Sequence, residues 1–231
     1  MRYFFTLIVL CVSLVSYPQE VYNKPLIDSL TSITNTNTPS RHFAKLYLET
    51  ILITNEHLVT QTDSIRQFVI GFETQFANYF FQAHQNYILN LPQDEIWKKY
   101  YSDTSLNELQ FLFLGMNAHI NGDMGNALKD IYDLSTLKKY TPNLLRFQRS
   151  IEDLYERIYL TGKPFKKVKK LHILTLGFDK LIGRKLILKW RKRQVKLAIS
   201  YYSNEKKYNK LRRKINRKMY KSNQFALKWI R

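Results

Sequence analysis

Leu109-Gln110-Phe111-Leu112-Phe113-Leu114-Gly115-Met116-Asn117-Ala118-His119-Ile120-Asn121-Gly122-Asp123 is the most informative stretch of the chain. Leu109, Phe111, Leu112, Phe113, Leu114, Met116, Ala118 and Ile120 cover every face of a helix over 106–121. A helix that is apolar all round belongs in the interior of a bundle. Its polar members, Asn117, His119 and Asn121, must then be buried with partners, because an unpaired buried polar group costs about 1–3 kcal/mol. His119 and Asp123 are four apart, so they share one helical face. Gly115 lies four residues before His119 on that face and lets another backbone or a ligand approach closely.

Working outward, apolar residues recur at helical spacing on both sides. A short helix is expected over 25–33, then a polar loop with Pro39. Phe43, Leu46, Tyr47 and Ile51 mark a helix over 42–57. Phe68, Phe72, Phe76, Tyr79 and Ala83 mark a longer one over 68–90, stopped by Pro92. A short helix over 94–101 starts at Asp94. Asp123 opens another that runs to 134. Thr141-Pro142 reads as the cap and first position of a helix reaching about 160. Residues 165–231 read as two or three long helices. Only 7 Gly and 6 Pro interrupt 231 residues, and no internal repeat is present. The expectation is an all-α, single-domain helical bundle over 19–231, with a buried central helix at about 109–121 and long basic C-terminal helices.

Residues 1–18 have the order of a secretory signal: a basic start at Arg2, an apolar run over 3–15, then Ser16-Tyr17-Pro18. Cleavage after Ser13 or after Ser16 and an uncleaved anchor all stay open. The run is shorter than the roughly 20 residues of a membrane-spanning helix. The expected address is exported: periplasm, cell envelope or secreted. Cys11 is the only cysteine and lies in this segment, which excludes disulfides, Cys-ligated zinc and thiol nucleophiles from the remainder.

Charge is strongly asymmetric. Residues 1–160 carry 13 Lys and Arg against 16 Asp and Glu; residues 161–231 carry 24 against 2, a net of +22. Such a basic third suits a polyanion, either an anionic membrane surface or a polysaccharide. Export argues against nucleic acid as the partner, and the sequence carries no nucleic-acid recognition motif. Leu211, Ile215 and Met219 repeat every four residues among Lys210, Arg212, Arg213, Lys214, Arg217 and Lys218, with Phe225, Trp229 and Ile230 beyond. That pattern fits a basic amphipathic helix at a lipid interface, and equally an outer helix that packs its apolar stripe on the bundle.

Glu73 sits on an otherwise apolar stripe with Val69, Ala77 and Phe80, and His84 lies in nearly the same direction. A carboxylate there must be paired, hydrogen-bonded or protonated. Two readings stand side by side. In one, Glu73, His119 and Asp123 converge as an N/O site for a divalent metal or as the acid–base set of a metal-assisted hydrolase. In the other, Asp123 caps the following helix, His119 bonds a neighbour, and Glu73 meets an Arg or Tyr. A phosphate-binding Gly loop, a nucleophile elbow and an HExxH motif are all absent from the sequence.

The 109–123 stretch resembles the signature LQxxLxGMNAHINxDLxxA of a bacterial domain family of unknown function. Phe76-Ala77-Asn78-Tyr79-Phe80 is similar to a second block of that family, which carries Asp where this chain has Glu73. Phe43-Ala44-Lys45-Leu46-Tyr47-Leu48-Glu49 is similar to a third, and 191–198 to its last helix. The resemblance spans about 40–200. It implies an all-α fold and an unassigned activity, and it marks Asn117, His119, Asn121 and Asp123. Gly122 stands where the family has a larger residue, and Met124-Gly125 replaces Leu-Pro. The family's Pro suits helix initiation, which favours a capping role for Asp123. The longer Glu73 puts strict ligand geometry in doubt.

Overall fold

A computed structural model of the protein describes residues 22–146 and 178–229. The expected signal over 1–18 lies outside the described residues, as does the part of the predicted 141–160 helix beyond 146. The architecture is an all-α helical bundle, and no strand occurs among the described residues. In chain order the helices are α1 (Lys24–Thr34), α2 (Ser40–Leu58), α3 (Asp63–Ile88), α4 (Lys98–Tyr101), α5 (Glu108–Ala118), α6 (Met124–Ile131), α7 (Leu134–Arg146), α8 (Phe178–Ser203) and α9 (Glu205–Trp229). A five-residue π-helical turn, His119–Asp123, joins α5 to α6.

Helix α5 begins with a reciprocal cap. The Asn107 side chain accepts from Gln110 N at 3.0 Å, and Gln110 Oε1 accepts from Asn107 N at 3.0 Å. Two of the four orphan donors at the helix start are thereby satisfied. Beyond the cap, Phe111, Leu112, Leu114 and Ala118 are buried, and α5 is flanked by α2, α4 and α9. The central position expected of this segment is what the structure has.

At Gly115 the close approach is made by a side chain. A Cβ there would lie 2.6 Å from Phe43 Cδ2, so Phe43 of α2 packs directly on the α5 backbone. The π-turn that follows contacts α3, α6, α8 and α9. It is tightly enclosed: a Cβ at Gly122 would lie 2.5 Å from Ile96 Cγ2, and one at Gly125 would overlap Gln194 Oε1.

Around this axis the core divides into two zones. Helices α1–α5 enclose Leu30, Phe43, Ile51, Phe80, Trp97 and Leu114. Helices α3, α6, α7 and α8 enclose Phe68, Phe72, Met124, Leu128, Leu137 and Val195. The sequence reading of Thr141-Pro142 as a helix start is corrected: both lie inside α7. Asp133 starts that helix instead, its Oδ1 accepting from Thr136 N at 2.7 Å. Pro142 is tolerated there although a proline in a helix interior forfeits one backbone hydrogen bond.

Candidate functional site

The π-turn sorts the polar residues of the central segment into two sets that face opposite ways. A π-helical turn inserts one residue into an α-helix, and such insertions are frequent at functional sites. Asn117 and Asn121 point toward α8 and α9, whereas His119 and Asp123 point toward α2, α3 and Trp97.

The first set is an amide clamp. Asn117 Nδ2 donates to Asn223 Oδ1 at 2.6 Å and to the Met219 carbonyl at 3.0 Å. Asn121 Nδ2 donates to Asn117 Oδ1 at 3.1 Å. Gln194 of α8 completes the arrangement: its Nε2 donates to the Asn121 carbonyl at 2.5 Å, and its Oε1 accepts from Gly125 N at 3.0 Å. Asn117, Asn121 and Gln194 are wholly buried. These amides fix α8 and α9 on the central segment.

His119 and Asp123 form the second set, with 1% exposure each. The imidazole stacks on Phe76 with ring centroids 3.5 Å apart and meets the Tyr47 and Phe43 rings edge-on at 4.7 and 5.4 Å. His119 Nδ1 lies 3.3 Å from Asp123 Oδ2, and Trp97 Nε1 donates to the same oxygen at 2.9 Å. Burial drives the His119 imidazole well below its ordinary value. Burial also drives the Asp123 carboxyl well above its own, with the Trp97 bond opposing. Trp97 makes Oδ2 an acceptor, so the tautomer with its proton on Nδ1 satisfies both atoms. His119 Nε2 then presents a lone pair with no partner among the described residues.

Asp123 is not a helix cap. Its side chain makes no capping bond to α6. The indole of Trp97 takes the carboxylate into the core instead, which corrects the capping expectation.

Glu73 is buried on α3 with the Thr54 hydroxyl beside it. Burial raises its pKa to about 8, while Thr54 and the Arg191 guanidinium act in the opposite direction. Arg191 reaches in from α8; burial lowers its pKa to about 10, and Glu73 and Tyr47 oppose that shift. Tyr47 is pushed up by burial, then by Glu73 and Asp123. Tyr47 Oη, Glu73 Oε2, His119 Nε2 and Arg191 Nη1 are all buried and have no hydrogen-bond partner among the described residues; Asn121 Oδ1, on the clamp side, is another such atom. Four helical segments therefore bring four buried polar atoms to one interior region, where each calls for a partner.

The expected three-ligand metal set is not assembled. Among the described residues no three His, Cys, Asp or Glu side chains converge as ligands. Trp97 engages Asp123, and Glu73 lies within the fields of Thr54 and Arg191. His84, expected near Glu73, instead bonds Ser40 Oγ through Nδ1 at 2.8 Å. The residues that sequence reading missed are Trp97, Arg191, Gln194 and Asn223. Arg191 and Gln194 did carry a signal: each lies opposite the lysine row of α8, on the face that Trp190, Val195 and Ala198 bury.

That lysine row belongs to a cationic surface. Lys185, Lys189, Lys192 and Lys196 are exposed at helical spacing along one side of α8. On α9, Lys207, Lys210, Lys214, Arg217 and Lys221 are exposed opposite the buried stripe of Tyr208, Ile215, Met219 and Ala226. The two rows meet: Arg193, then partial burial, then Lys214 and Lys189 depress the pKa of Lys218. Tyr220 and Phe225 continue the surface at 65% and 58% exposure. No helix among the described residues is long and apolar enough to cross a membrane.

Fold and site together define an all-α bundle whose central helix carries a buried π-turn, clamped by amides on one side and closed by a His–Asp pair on the other. The chain belongs to the family of unknown function DUF5995, whose pattern matches residues 24–228. No curated protein and no solved structure matches the chain.

Proposed function

We propose that the protein is a non-catalytic component of the cell envelope that holds an anionic surface on the paired cationic rows of α8 and α9. The observation that carries this reading is the meeting of the rows at Lys189, Arg193, Lys214 and Lys218. Like charges brought together in this way repel, and an anionic partner relieves the repulsion. Exposed Tyr220 and Phe225 beside the rows favour lipid headgroups, because aromatic side chains seat at the lipid–water boundary. An acidic polysaccharide would use the same charges without needing the aromatics. The expected export signal would deliver the chain to such a surface.

Each basic residue near an anionic leaflet contributes about 1 kcal/mol. The chain should co-sediment with vesicles containing anionic phospholipid at low salt and be released at high salt. Lys214→Glu with Lys218→Glu should abolish binding and leave the far-ultraviolet circular dichroism unchanged. Absence of low-salt binding, or binding indifferent to charge reversal, would end this reading.

A second reading has its own observation, the unpartnered Nε2 of His119 across the ring from an Asp123-facing Nδ1. A histidine oriented by a carboxylate, with its other nitrogen available, is the arrangement of a general base. On this reading the protein is a hydrolase in which His119 accepts the proton and Asp123, held by Trp97, orients it. Screening ester, amide and phosphoester substrates with the wild type and His119→Gln tests it. Activity that survives in the variant rejects it.

A further inference from the structure

We propose that Tyr47 Oη, Glu73 Oε2, His119 Nε2 and Arg191 Nη1 frame an interior binding site for a compact protonated oxyanion, a phosphate or a small carboxylic acid. The site deepens the second reading, since it would give that hydrolase a substrate group to hold, but binding itself needs no turnover.

Three observations converge on it. The four atoms are buried and have no hydrogen-bond partner among the described residues, and they come from four different segments: α2, α3, the π-turn and α8. They belong to one neighbourhood. The Tyr47 ring is 4.7 Å from the His119 ring, and Tyr47 lies within the fields of Glu73, Asp123 and Arg191. Two of these side chains are engaged at their other atoms: Asp123 faces His119 Nδ1, and Thr54 stands beside Glu73. These two groups are thus held in place by neighbours, as a site needs.

The inventory of groups selects the ligand. Arg191 supplies a positive charge and fixed N–H donors, and Tyr47 supplies a hydroxyl. Both suit oxygens of an anion, and a guanidinium is the side chain best matched to phosphate or carboxylate. His119 Nε2 is an acceptor in the tautomer fixed by Asp123, so the ligand must also carry a proton, as the P–OH of a phosphate or the hydroxyl of a hydroxy acid does. A fully deprotonated trianion would leave Nε2 facing a like acceptor. A hydrophobic ligand would leave all four atoms unsatisfied. Arg191 is only half-buried as a residue although its Nη1 is enclosed, so its side chain runs from the surface of α8 into the interior.

The test uses the full chain, with inorganic phosphate and lactate as separate probes and nitrogen-15-labelled histidine as the reporter. Phosphate, lactate or both at millimolar concentration should move the His119 Nε2 resonance and raise the melting temperature; which of them acts identifies the ligand class. Arg191→Gln and Tyr47→Phe should each weaken that response at least tenfold. Tyr47→Phe serves if Arg191→Gln fails to fold. Lys214→Glu with Lys218→Glu should leave the response intact, which separates this site from the cationic surface. A His119→Gln variant without hydrolytic consequence rejects the second reading alone, because probe binding is read on the wild type. An unmoved His119 resonance with both probes, or a response kept in Tyr47→Phe and lost on surface charge reversal, overturns the proposal and leaves internal water as the partner of these atoms.

Discussion

Replacing Glu73 by Gln should stabilise the protein, and increasingly so as pH rises. Folded Glu73 keeps its proton up to about pH 8, whereas its ordinary value is 4.5. Between these limits the folded state holds one more proton than the unfolded state, so stability falls as pH increases, by about 1.36 kcal/mol per pH unit. The favourable contribution is complete below pH 4.5 and is lost by the time pH reaches the folded value. His119 acts with the opposite sign: its folded value is lowered, so the unfolded chain takes up a proton below 6.5 and stability is lost on acidification there. Above pH 6.5 that contribution vanishes. Asp123, raised like Glu73, is common to both proteins and cancels in the comparison. Glutamine matches the neutral carboxyl in shape and does not ionise. The variant should therefore exceed the wild type by about 3 kcal/mol at pH 6.5 and by about 4 kcal/mol at pH 8. Urea denaturation followed by circular dichroism at these two pH values measures the difference. A gap that stays constant between them, or a variant less stable at both, would refute the argument that Glu73 is buried as a neutral acid.

Two further perturbations probe the central segment. Gly115→Ala places a Cβ 2.6 Å from Phe43 Cδ2 and should destabilise by about 1–3 kcal/mol, read from thermal unfolding. Asn117→Leu strands Asn223 Oδ1 and Asn121 Nδ2 and should cost about 2–4 kcal/mol, with α9 becoming the first site of limited proteolysis. Cleavage elsewhere, with α9 intact, would separate the clamp from the docking of that helix.

Much of the fold was legible because the 109–120 run is apolar on every face, and only an interior position reconciles that with water. Glu73 stood out by the same logic, as a carboxylate on an apolar stripe. Its partners did not, since Arg191 is 118 residues further on and only the packing of α8 brings it near. Asp123 was misread for a related reason. An acidic residue ahead of a helix fits a cap locally, and nothing local reveals that Trp97 reaches it from another element. The π-turn left no propensity signal; Gly122 and Gly125, which admit Ile96 and Gln194, were its only trace. Thr141-Pro142 misled because a strong local motif competed with Asp133, a weaker one better placed for packing Leu137 and Leu144.

The interior cluster and the cationic surface are two sides of one helix. Along α8 the exposed row is Lys185, Lys189, Lys192 and Lys196, and Arg191 and Gln194 occupy the opposite side. Each residue turns an α-helix by about 100°. A rotation of α8 by a single position would therefore carry Lys192 into Arg191's place and Arg191 into that of the buried Trp190, putting an ammonium where the guanidinium faces Glu73 and Tyr47. What prevents this is Gln194, which engages both the Asn121 carbonyl and Gly125 N across the π-turn. These two bonds set the angle of α8, and that angle fixes both which cations face outward and which one faces Glu73. The buried amides of the central segment thus do more than hold the bundle closed: they determine that the chain presents lysines to its surroundings and one arginine to its core.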